Sequence, residues 1–311
     1  MKSTYKGIII TGPTAGGKTK LAVQVAHALG GEVISADSRQ VYRGMDLGTG
    51  KDLAEYQFKG QTVPYHLIDI REPGYHYNVF EFNRDCKKFI RELSQKEVPI
   101  LIAGGTGMYI QSILDNYRMI EVPVNEAVRQ ERANWSHEAL QAYLISLKKQ
   151  HNQSDLDTPQ RTIRAIEIAE YYRDNPELTP DPWDFKALIF ALHFERSEQR
   201  RRITARLDER LKQGMIEEVK SLLDQGLKEE ELLFYGLEYK YLTLYVLGKI
   251  SFDEMRSQLN TAIHQFAKRQ MTYLRKLEKD GHPIHWLKGE DDWNETIHRV
   301  LEKSKDFLSY D

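Results

Sequence analysis

A glycine-rich stretch near the start of the chain has the residue types needed to bind phosphate. Residues 12–19 read G-P-T-A-G-G-K-T and fit the pattern G-x-x-x-x-G-K-[ST]. Glycines let the backbone turn its N–H groups inward, and the start of the following helix adds positive potential. Lys18 supplies a compact charge, and the Thr19 hydroxyl is a predicted Mg²⁺ ligand. The predicted phosphate or diphosphate site consists of Gly12, Pro13, Thr14, Ala15, Gly16, Gly17, Lys18 and Thr19.

A carboxylate and a second glycine turn follow two other apolar runs. Asp37 comes just after residues 32–35, and Thr106 lies in the turn 104–107 that follows residues 99–103. Because ligands bind at the carboxyl ends of parallel strands, both groups are expected at the edge that holds the phosphate loop. Such residues can instead cap a helix, and spacing alone leaves both roles open.

These groups need a frame of alternating strands and helices. Strands are predicted at the apolar runs 7–11, 32–35, 66–70, 99–103 and 187–192. The segment that follows the first run and the phosphate loop has helical periodicity. This pattern predicts an α/β fold of the P-loop NTPase type, in which helices flank a parallel sheet.

The alternation of strands and helices stops after the second glycine turn. Two helical patterns, a polar loop from His151 and several prolines, among them Pro180, predict a helical insertion. The predicted organisation is a P-loop α/β core over residues 1–114, a helical insertion over 115–182, and the last core strand with carboxyl-terminal helices over 183–311.

The composition limits the classes of function. The chain has 311 residues, a formal net charge of −2 and one cysteine, Cys86, so it can form neither an internal disulfide nor a cysteine zinc site. Its apolar runs are too short to span a membrane, and a cytoplasmic location is expected. Residues 196–212 and 267–276 form two basic helical segments. A solvated helix face is the commoner explanation of one such run, but two beside a phosphate loop favour an anionic polymer as partner.

Three functions are compatible with these residues alone. A kinase would bind ATP in the phosphate loop and use Asp37 as the base for a hydroxyl acceptor. A group transferase would bind a diphosphate leaving group in the same loop. A nucleic-acid-binding module would use the loop only to sense a ligand. A GTPase is disfavoured because the chain lacks an N-K-x-D motif.

Several stretches resemble the tRNA dimethylallyltransferase family, also called the tRNA isopentenyltransferases. The similarity runs in order from the first predicted strand to about Trp286, and its most specific part is the D-S-x-Q-V-Y-x-G-M-D pattern at residues 37–46. The matching stretches are residues 12–19, 35–51, 66–69, 104–109, 159–167 and 267–270.

The resemblance implies transfer of a dimethylallyl group from dimethylallyl diphosphate to N6 of an adenosine beside the anticodon of tRNA, by a monomer that uses Mg²⁺. It implies that Asp37 takes the proton of the attacking amine, that Thr106 touches the transferred group, and that Arg202 and Arg206 face the diphosphate. The implied tRNA contacts are Ser38, Arg39, Gln40, Arg129, Gln160, Arg161, Thr162, Ile163, Arg164, Tyr239 and Lys240. The family also includes enzymes that prenylate free adenine nucleotides, which leaves a second acceptor open.

The chain departs from the family pattern mainly on the RNA side. Asp52 replaces the usual proline, Glu238 stands where glycine is usual, and Ile263-His264 replaces threonine-arginine. In the phosphate loop Gly16 stands where serine is usual, a change that the loop tolerates, and Asp37 is unaffected. The resemblance therefore bears more directly on the transfer chemistry than on the identity of the acceptor.

Overall fold

The structure, a computed structural model, describes most of the chain. The described residues are 4–115, 119–147, 153–178 and 182–309. His151 and Pro180, which mark the predicted polar loop and the exit of the predicted insertion, lie outside the described residues. By internal contacts the chain forms two compact units, one made of Met1–Asn116 with Trp183–Asp311 and the other of Tyr117–Pro182.

The first unit is built around a parallel sheet. The strands in chain order are β1 (Tyr5–Thr11), β2 (Glu32–Ser35), β3 (Gln57–Phe58), β4 (Gln61–Thr62), β5 (Tyr65–His66), β6 (Ile100–Ala103), β7 (Phe185–His193) and β8 (Ile284–Lys288). Strands β3 and β4 form a separate antiparallel hairpin. The other six form one parallel sheet in the order β5-β2-β6-β1-β7-β8, which confirms the predicted fold class.

Helices make up most of the remaining structure. In chain order they are α1 (Lys18–Leu29), α2 (Val79–Gln95), α3 (Gly107–Leu114), α4 (Glu126–Arg132), α5 (His137–Leu147), α6 (Pro159–Asp174), α7 (Arg196–Lys212), α8 (Met215–Asp224), α9 (Glu229–Phe234), α10 (Leu237–Val246), α11 (Phe252–Lys279) and α12 (Trp293–Ser309). Helices α4 to α6 belong to the second unit and all others to the first. Short 3₁₀ helices occupy Leu53–Tyr56 and Gln153–Leu156.

Strand β1 is buried on both faces of the sheet. Ile8, Ile9 and Ile10 are fully buried, and successive side chains point to opposite faces. Ile9 joins one apolar cluster with side chains of α2, α3 and α11, whereas Ile8 and Ile10 join another with side chains of α1 and α12. Consecutive apolar side chains on both faces of a strand require helices on both sides of the sheet, which is the arrangement observed.

The order of the strands brings three loops together. Strand β6 lies between β1 and β2, and Ala103 is in register with Ile10 on one side and Ser35 on the other. Neighbouring strands lie about 4.8 Å apart, so the loops that follow these three residues begin within about 10 Å of one another. The phosphate loop, the turn at Asp37 and the second glycine turn consequently share one edge of the sheet.

Two predictions of secondary structure are wrong in part. Of the predicted strand 66–70, only His66 belongs to the observed strand β5, because Leu67 and Asp69 have positive φ angles of 62° and 54°, which extended strands do not adopt. Strand β8 lies in a region predicted to be entirely helical, yet it pairs with β7. Its five residues are too few to produce a distinct period in the sequence.

The second unit has a small apolar core and a buried ionic centre. Leu140, Leu144, Ala165 and Ile166 pack between α5 and α6. Glu167 of α6, which is 3% exposed, accepts hydrogen bonds from neighbouring arginines and from a backbone N–H group. Over the described residues of both units, no helix combines the length and apolar character required to cross a bilayer.

Candidate active site

A cavity of about 780 Å³ opens at the carboxyl edge of the sheet in the first unit. The phosphate loop, the turns after β2 and β6, and side chains of α7 form its wall. Many residues selected from the sequence line it: Thr14, Ala15, Gly16, Gly17, Lys18, Thr19, Asp37, Ser38, Arg39, Gln40, Thr106, Arg202 and Arg206. Phosphate-binding groups and a carboxylate therefore meet in one cavity large enough for a small-molecule ligand.

The phosphate loop adopts a backbone that depends on glycine. Gly12 has a φ angle of 141°, and a Cβ atom there would lie 2.7 Å from the carbonyl oxygen of Leu192 on β7. Gly17, with a φ angle of 83°, is the N-cap residue of α1. The first turn of α1 has N–H groups without intrahelical partners, and its residues Lys18 and Thr19 line the cavity. This helix start is suited to an anion.

Lys18 is the main positive group of this loop. Its Nζ donates a hydrogen bond to the carbonyl oxygen of Pro13 at 2.8 Å. Removal from water lowers the pKa of Lys18 to about 8, although Asp37 acts in the opposite direction. An anion bound beside Lys18 would stabilise the ammonium form and raise this pKa again.

Gln270 of α11 connects the two glycine loops. Its Oε1 accepts the backbone N–H of Thr14 at 2.8 Å, and its Nε2 donates to the carbonyl oxygen of Gly105 at 3.0 Å. This bridge uses both the acceptor and the donor of one amide group. Gln270 lies in residues 267–270, one of the stretches that resemble the family. No local pattern could indicate this bridge, since the partners are 256 and 165 residues away.

Two side chains of α7 also hold the backbone of the phosphate loop. Gln199 Nε2 donates to the carbonyl oxygen of Thr14 at 2.7 Å, and Arg202 Nε donates to that of Ala15 at 3.0 Å. The Arg202 guanidinium also lies 4.7 Å from the centre of the Phe194 ring. Arg202 thus fixes the loop while it forms part of the cavity wall.

The turn that carries Asp37 is fixed by the second glycine turn. The N–H group of Thr106 donates to the carbonyl oxygen of Ala36 at 3.2 Å, and Thr106 Oγ1 accepts the N–H of Ser38 at 3.1 Å. Asp37 Oδ1 accepts the N–H of Arg39 at 2.9 Å. A Cβ atom at Gly104 would lie 2.2 Å from the Ala36 carbonyl oxygen, so only glycine allows this approach. Asp37 is therefore held at the cavity by backbone contacts on both sides.

A pair of arginines on α7 forms the far wall of the cavity. Arg206 donates to Asp52 Oδ2 at 2.8 Å and to the carbonyl oxygen of Gly50 at 3.4 Å. Arg210 donates to the carbonyl oxygen of Leu47 at 2.9 Å and also contacts Asp52. Asp52, one of the departures from the family pattern, is thus the carboxylate that joins the two arginines.

The loop that accepts these arginines is itself strongly braced. Glu218 of α8 accepts the N–H groups of Asp46, Leu47 and Gly48 at 2.8, 2.8 and 2.9 Å. Lys51, only 5% exposed, donates to Asp46 Oδ1 at 2.6 Å and also bonds to Asp69. These contacts leave residues 46–51 little freedom relative to the sheet. Asp69 thus serves as an ion-pair partner of Lys51.

Two further carboxyl groups line the cavity. Burial raises the pKa of Glu238, the second departure from the family pattern, while Arg210 and Arg206 act in the opposite direction. Burial also raises the pKa of Glu55, with a smaller contribution from Asp52. The cavity therefore holds protonatable groups beside its arginines, a feature that the sequence analysis did not predict.

The residues at the loop fit a magnesium ion held together with phosphate, rather than a metal held by protein alone. Thr19, Asp37 and Glu55 provide oxygen donors on the cavity wall. Among the described residues, no group of three or more histidine, cysteine, aspartate or glutamate side chains could hold a metal. Mg²⁺ usually has few protein ligands and completes its shell with water and substrate phosphates.

The residues expected to bind RNA fall into three groups in the first unit. Ser38, Arg39 and Gln40 lie on the cavity wall. Lys240 is exposed on α10. Tyr239, by contrast, is fully buried and donates a hydrogen bond to Glu218 Oε1 at 2.6 Å, so its side chain offers no surface to an RNA.

In the second unit, most of the residues expected to bind RNA contact other residues of the same unit. Arg129 and Arg164 both bond to Glu167 at 3.0 Å. Thr162 is fully buried, so its side chain offers no surface to an RNA. Ile163 packs against the apolar core. Gln160 and Arg161 are exposed on the first turn of α6, where Arg161 contacts Asp157 at 3.0 Å.

Two family models match this chain, and named proteins resemble it over most of its length. A model described as IPP transferase matches residues 40–277, and one described as isopentenyl transferase matches residues 6–71. The chain is 50% identical to tRNA dimethylallyltransferase 2 of Bacteroides fragilis over 303 residues, which cover 97% of this chain and 99% of that protein. It is also 50% identical to tRNA dimethylallyltransferase 1 of Parabacteroides distasonis, covering 92% and 93% of the two chains.

Solved structures with the same architecture extend the comparison. A full-length tRNA isopentenylpyrophosphate transferase from Bacillus halodurans superimposes with a TM-score of 0.72 at 30% identity, covering 98% of this chain and 97% of that one. A eukaryotic dimethylallyltransferase acting on tRNA gives a TM-score of 0.80 at 22% identity, covering 98% and 80%. At that identity the second likeness concerns the fold alone.

Proposed function

Because this chain belongs to the IPP transferase family, we propose that it transfers a dimethylallyl group from dimethylallyl diphosphate to N6 of an adenosine next to the anticodon of a tRNA. The main support is the meeting of the phosphate loop, Asp37 and the α7 arginines in one cavity of about 780 Å³. A diphosphate at the loop would direct its allyl group toward a space that the acceptor base can enter.

The proposed reaction exchanges one bond for another. The N6 atom attacks the first carbon of the dimethylallyl group and forms a C–N bond, while the C–O bond to diphosphate breaks and its electron pair leaves with the diphosphate. Asp37 accepts the proton from N6, which prevents positive charge from remaining on the amine. Thr106 is proposed to touch the transferred group, and it also holds the turn that carries Asp37.

Charge on the departing diphosphate is proposed to be stabilised by the loop N–H groups, Lys18, Arg202 and Arg206. Such groups catalyse best when they are already oriented toward the developing charge. The hydrogen bonds of Arg202 and Arg206 to loop carbonyls support this preorganisation. Mg²⁺, proposed to be held by Thr19 and the diphosphate oxygens, would neutralise further charge on the leaving group.

The tRNA is proposed to contact Ser38, Arg39, Gln40, Lys240, Gln160 and Arg161. An adenine inside a stacked loop cannot reach a closed cavity, so it must leave the stack, at a cost of a few kcal/mol. Unpaired anticodon-loop bases are the least costly to extrude.

The proposal is tested by incubating the purified protein with Mg²⁺, tRNA and either dimethylallyl diphosphate or ATP. Digestion of the tRNA and mass analysis should reveal a dimethylallyl adenosine only with the diphosphate donor. Consumption of ATP with transfer of phosphate would support a kinase instead. Prenylation of free adenosine monophosphate but not of tRNA would identify the other acceptor class.

A further inference from the structure

Two exposed aromatic rings lie just outside the cavity. Phe234, at the end of α9, is 38% exposed, and His76 is exposed in the loop before α2. Their ring centres are 4.1 Å apart with an angle of 19° between the planes, which is a stacked pair. Exposed rings are common one at a time on a surface, whereas these two are stacked, so each ring holds the other in place.

This pair is rigidly mounted. Tyr235, next to Phe234, is 1% exposed, and its hydroxyl accepts the N–H of Gly74 at 2.5 Å and donates to the carbonyl oxygen of Tyr75 at 3.3 Å. The Tyr235 ring also packs edge-on against Tyr42, with centres 4.6 Å apart. One buried tyrosine thus fixes both the end of α9 and the loop that carries His76. Rigid aromatic surfaces lose little entropy when a ligand binds.

Arg39 connects the ring pair to the cavity. Its guanidinium carbon lies 5.2 Å from the centre of the Phe234 ring, and the same side chain is part of the cavity wall. Gly236, two residues after Phe234, also lines the cavity. The surface formed by His76, Phe234 and Arg39, here named the aromatic platform, is therefore continuous with the cavity entrance and carries a positive charge.

We propose that the aromatic platform is a binding subsite for an unpaired nucleobase adjacent to the adenosine that enters the cavity. This inference depends on the proposed function, because it assumes that an RNA delivers the acceptor. When one base leaves the stack, its neighbour loses a stacking partner. A stacked ring pair with a guanidinium restores that contact, since aromatic and arginine side chains bind splayed-out bases in this way. The nearby cation also suits the phosphate that joins the two nucleotides.

The central test measures RNA affinity with Phe234→Ala and Phe234→Trp. Because Phe234→Ala loses one stacking contact with a base, its affinity for an anticodon stem-loop RNA should be about 5- to 150-fold weaker than that of the wild type. Phe234→Trp keeps an aromatic ring and should bind with near-normal affinity. His76→Ala should weaken binding in the same direction. The matched control is Phe252→Ala, since Phe252 is 42% exposed, also contacts another aromatic ring and does not line the cavity.

A second arm assigns the effect to the neighbouring base. Stem-loops with an abasic nucleotide on either side of the target adenosine should bind the wild-type protein more weakly, and one of them should bind the wild type and Phe234→Ala equally. The proposal would be overturned if Phe234→Ala lost as much affinity for both abasic RNAs as for the intact RNA. It would also be overturned if Phe234→Ala bound the intact RNA as tightly as the wild type does. Thermal unfolding of each variant shows whether a loss reflects misfolding.

The same variants separate this inference from the proposed function. If Phe234→Ala transferred the dimethylallyl group and bound RNA as well as the wild type does, the platform proposal would be contradicted and the proposed transfer reaction would stand. RNA binding that depends on Phe234, without any transfer from dimethylallyl diphosphate, would keep the platform and remove the proposed reaction. Absence of both binding and transfer in the wild type would remove both.

Discussion

At the scale of single residues, Asp37 has the position expected of a general base. Its Oδ1 already accepts one backbone hydrogen bond, from Arg39, which orients the carboxylate without neutralising it. Asp37→Asn keeps this acceptor but removes the basic oxygen. We therefore expect the turnover number to fall by ~10²–10⁴, the usual contribution of a positioned base, with little change in donor affinity.

Single-turnover kinetics with saturating donor check this expectation for Asp37. A turnover number of Asp37→Asn close to that of the wild type would exclude the residue from proton transfer. Donor affinity measured by calorimetry provides the control, because a misfolded cavity would lower affinity and turnover together.

Lys18 gives the donor site a characteristic pH dependence. Its pKa of about 8 in the free protein lies below the ordinary lysine value because of burial. Below pH 8 the ammonium is present and attracts the diphosphate, and as the pH rises through 8 the free protein loses this charge. Donor affinity should therefore decrease above pH 8, by up to tenfold per pH unit, until the higher pKa of the complex is reached.

Calorimetry between pH 7 and 9.5 tests the role of Lys18, with proton uptake on binding as a second signal. Lys18→Gln should bind the donor weakly at every pH and show no such inflection. Lys20→Gln, two residues along the same helix and exposed, is the matched control and should keep it. A constant wild-type affinity over this range would contradict the assignment.

At the scale of elements, the site depends on contacts between helices and loops that are distant in sequence. Glu218 of α8 receives three backbone N–H groups from the loop that accepts Arg206 and Arg210. Glu218→Ala would leave these donors without their partner. We expect the free energy of unfolding to fall by about 3 kcal/mol and donor binding to weaken, since the arginines lose their fixed support.

Urea denaturation together with donor titration checks the Glu218 prediction. Glu217→Ala is the control, because Glu217 is an exposed neighbour on the same helix and should change stability by no more than about 0.5 kcal/mol. Equal stability of the two variants would show that the loop holds its conformation without Glu218.

The elements also show why the sequence predicted some features and missed others. The phosphate loop, Asp37 and the second glycine turn follow directly from apolar strands, and short-range patterns are enough to locate them. Gln270 and Glu218 act through partners more than 150 residues away, which no local pattern encodes. Tyr239 and Thr162 are residues that the resemblance implies as RNA contacts, yet helix packing turns both inward.

At the scale of the whole molecule, charge is distributed unevenly over a nearly neutral chain. The formal net charge is −2, while α7 and the second half of α11 are strongly basic. If about six phosphates are neutralised when tRNA binds, affinity should fall by ~10³ between 50 and 200 mM salt. Fluorescence anisotropy with labelled tRNA measures this slope, and an affinity independent of salt would point to a small acceptor instead.

The bridge made by Gln270 has a consequence for the newly synthesised protein. The two glycine loops are complete once about 110 residues have been made, but the amide that joins them lies on α11 and is translated much later. On the ribosome, the early strands and loops therefore lack the hydrogen-bonded bridge that fixes the distance between the two glycine loops. A nascent chain should acquire affinity for its donor only after the long α11 helix has left the exit tunnel and docked.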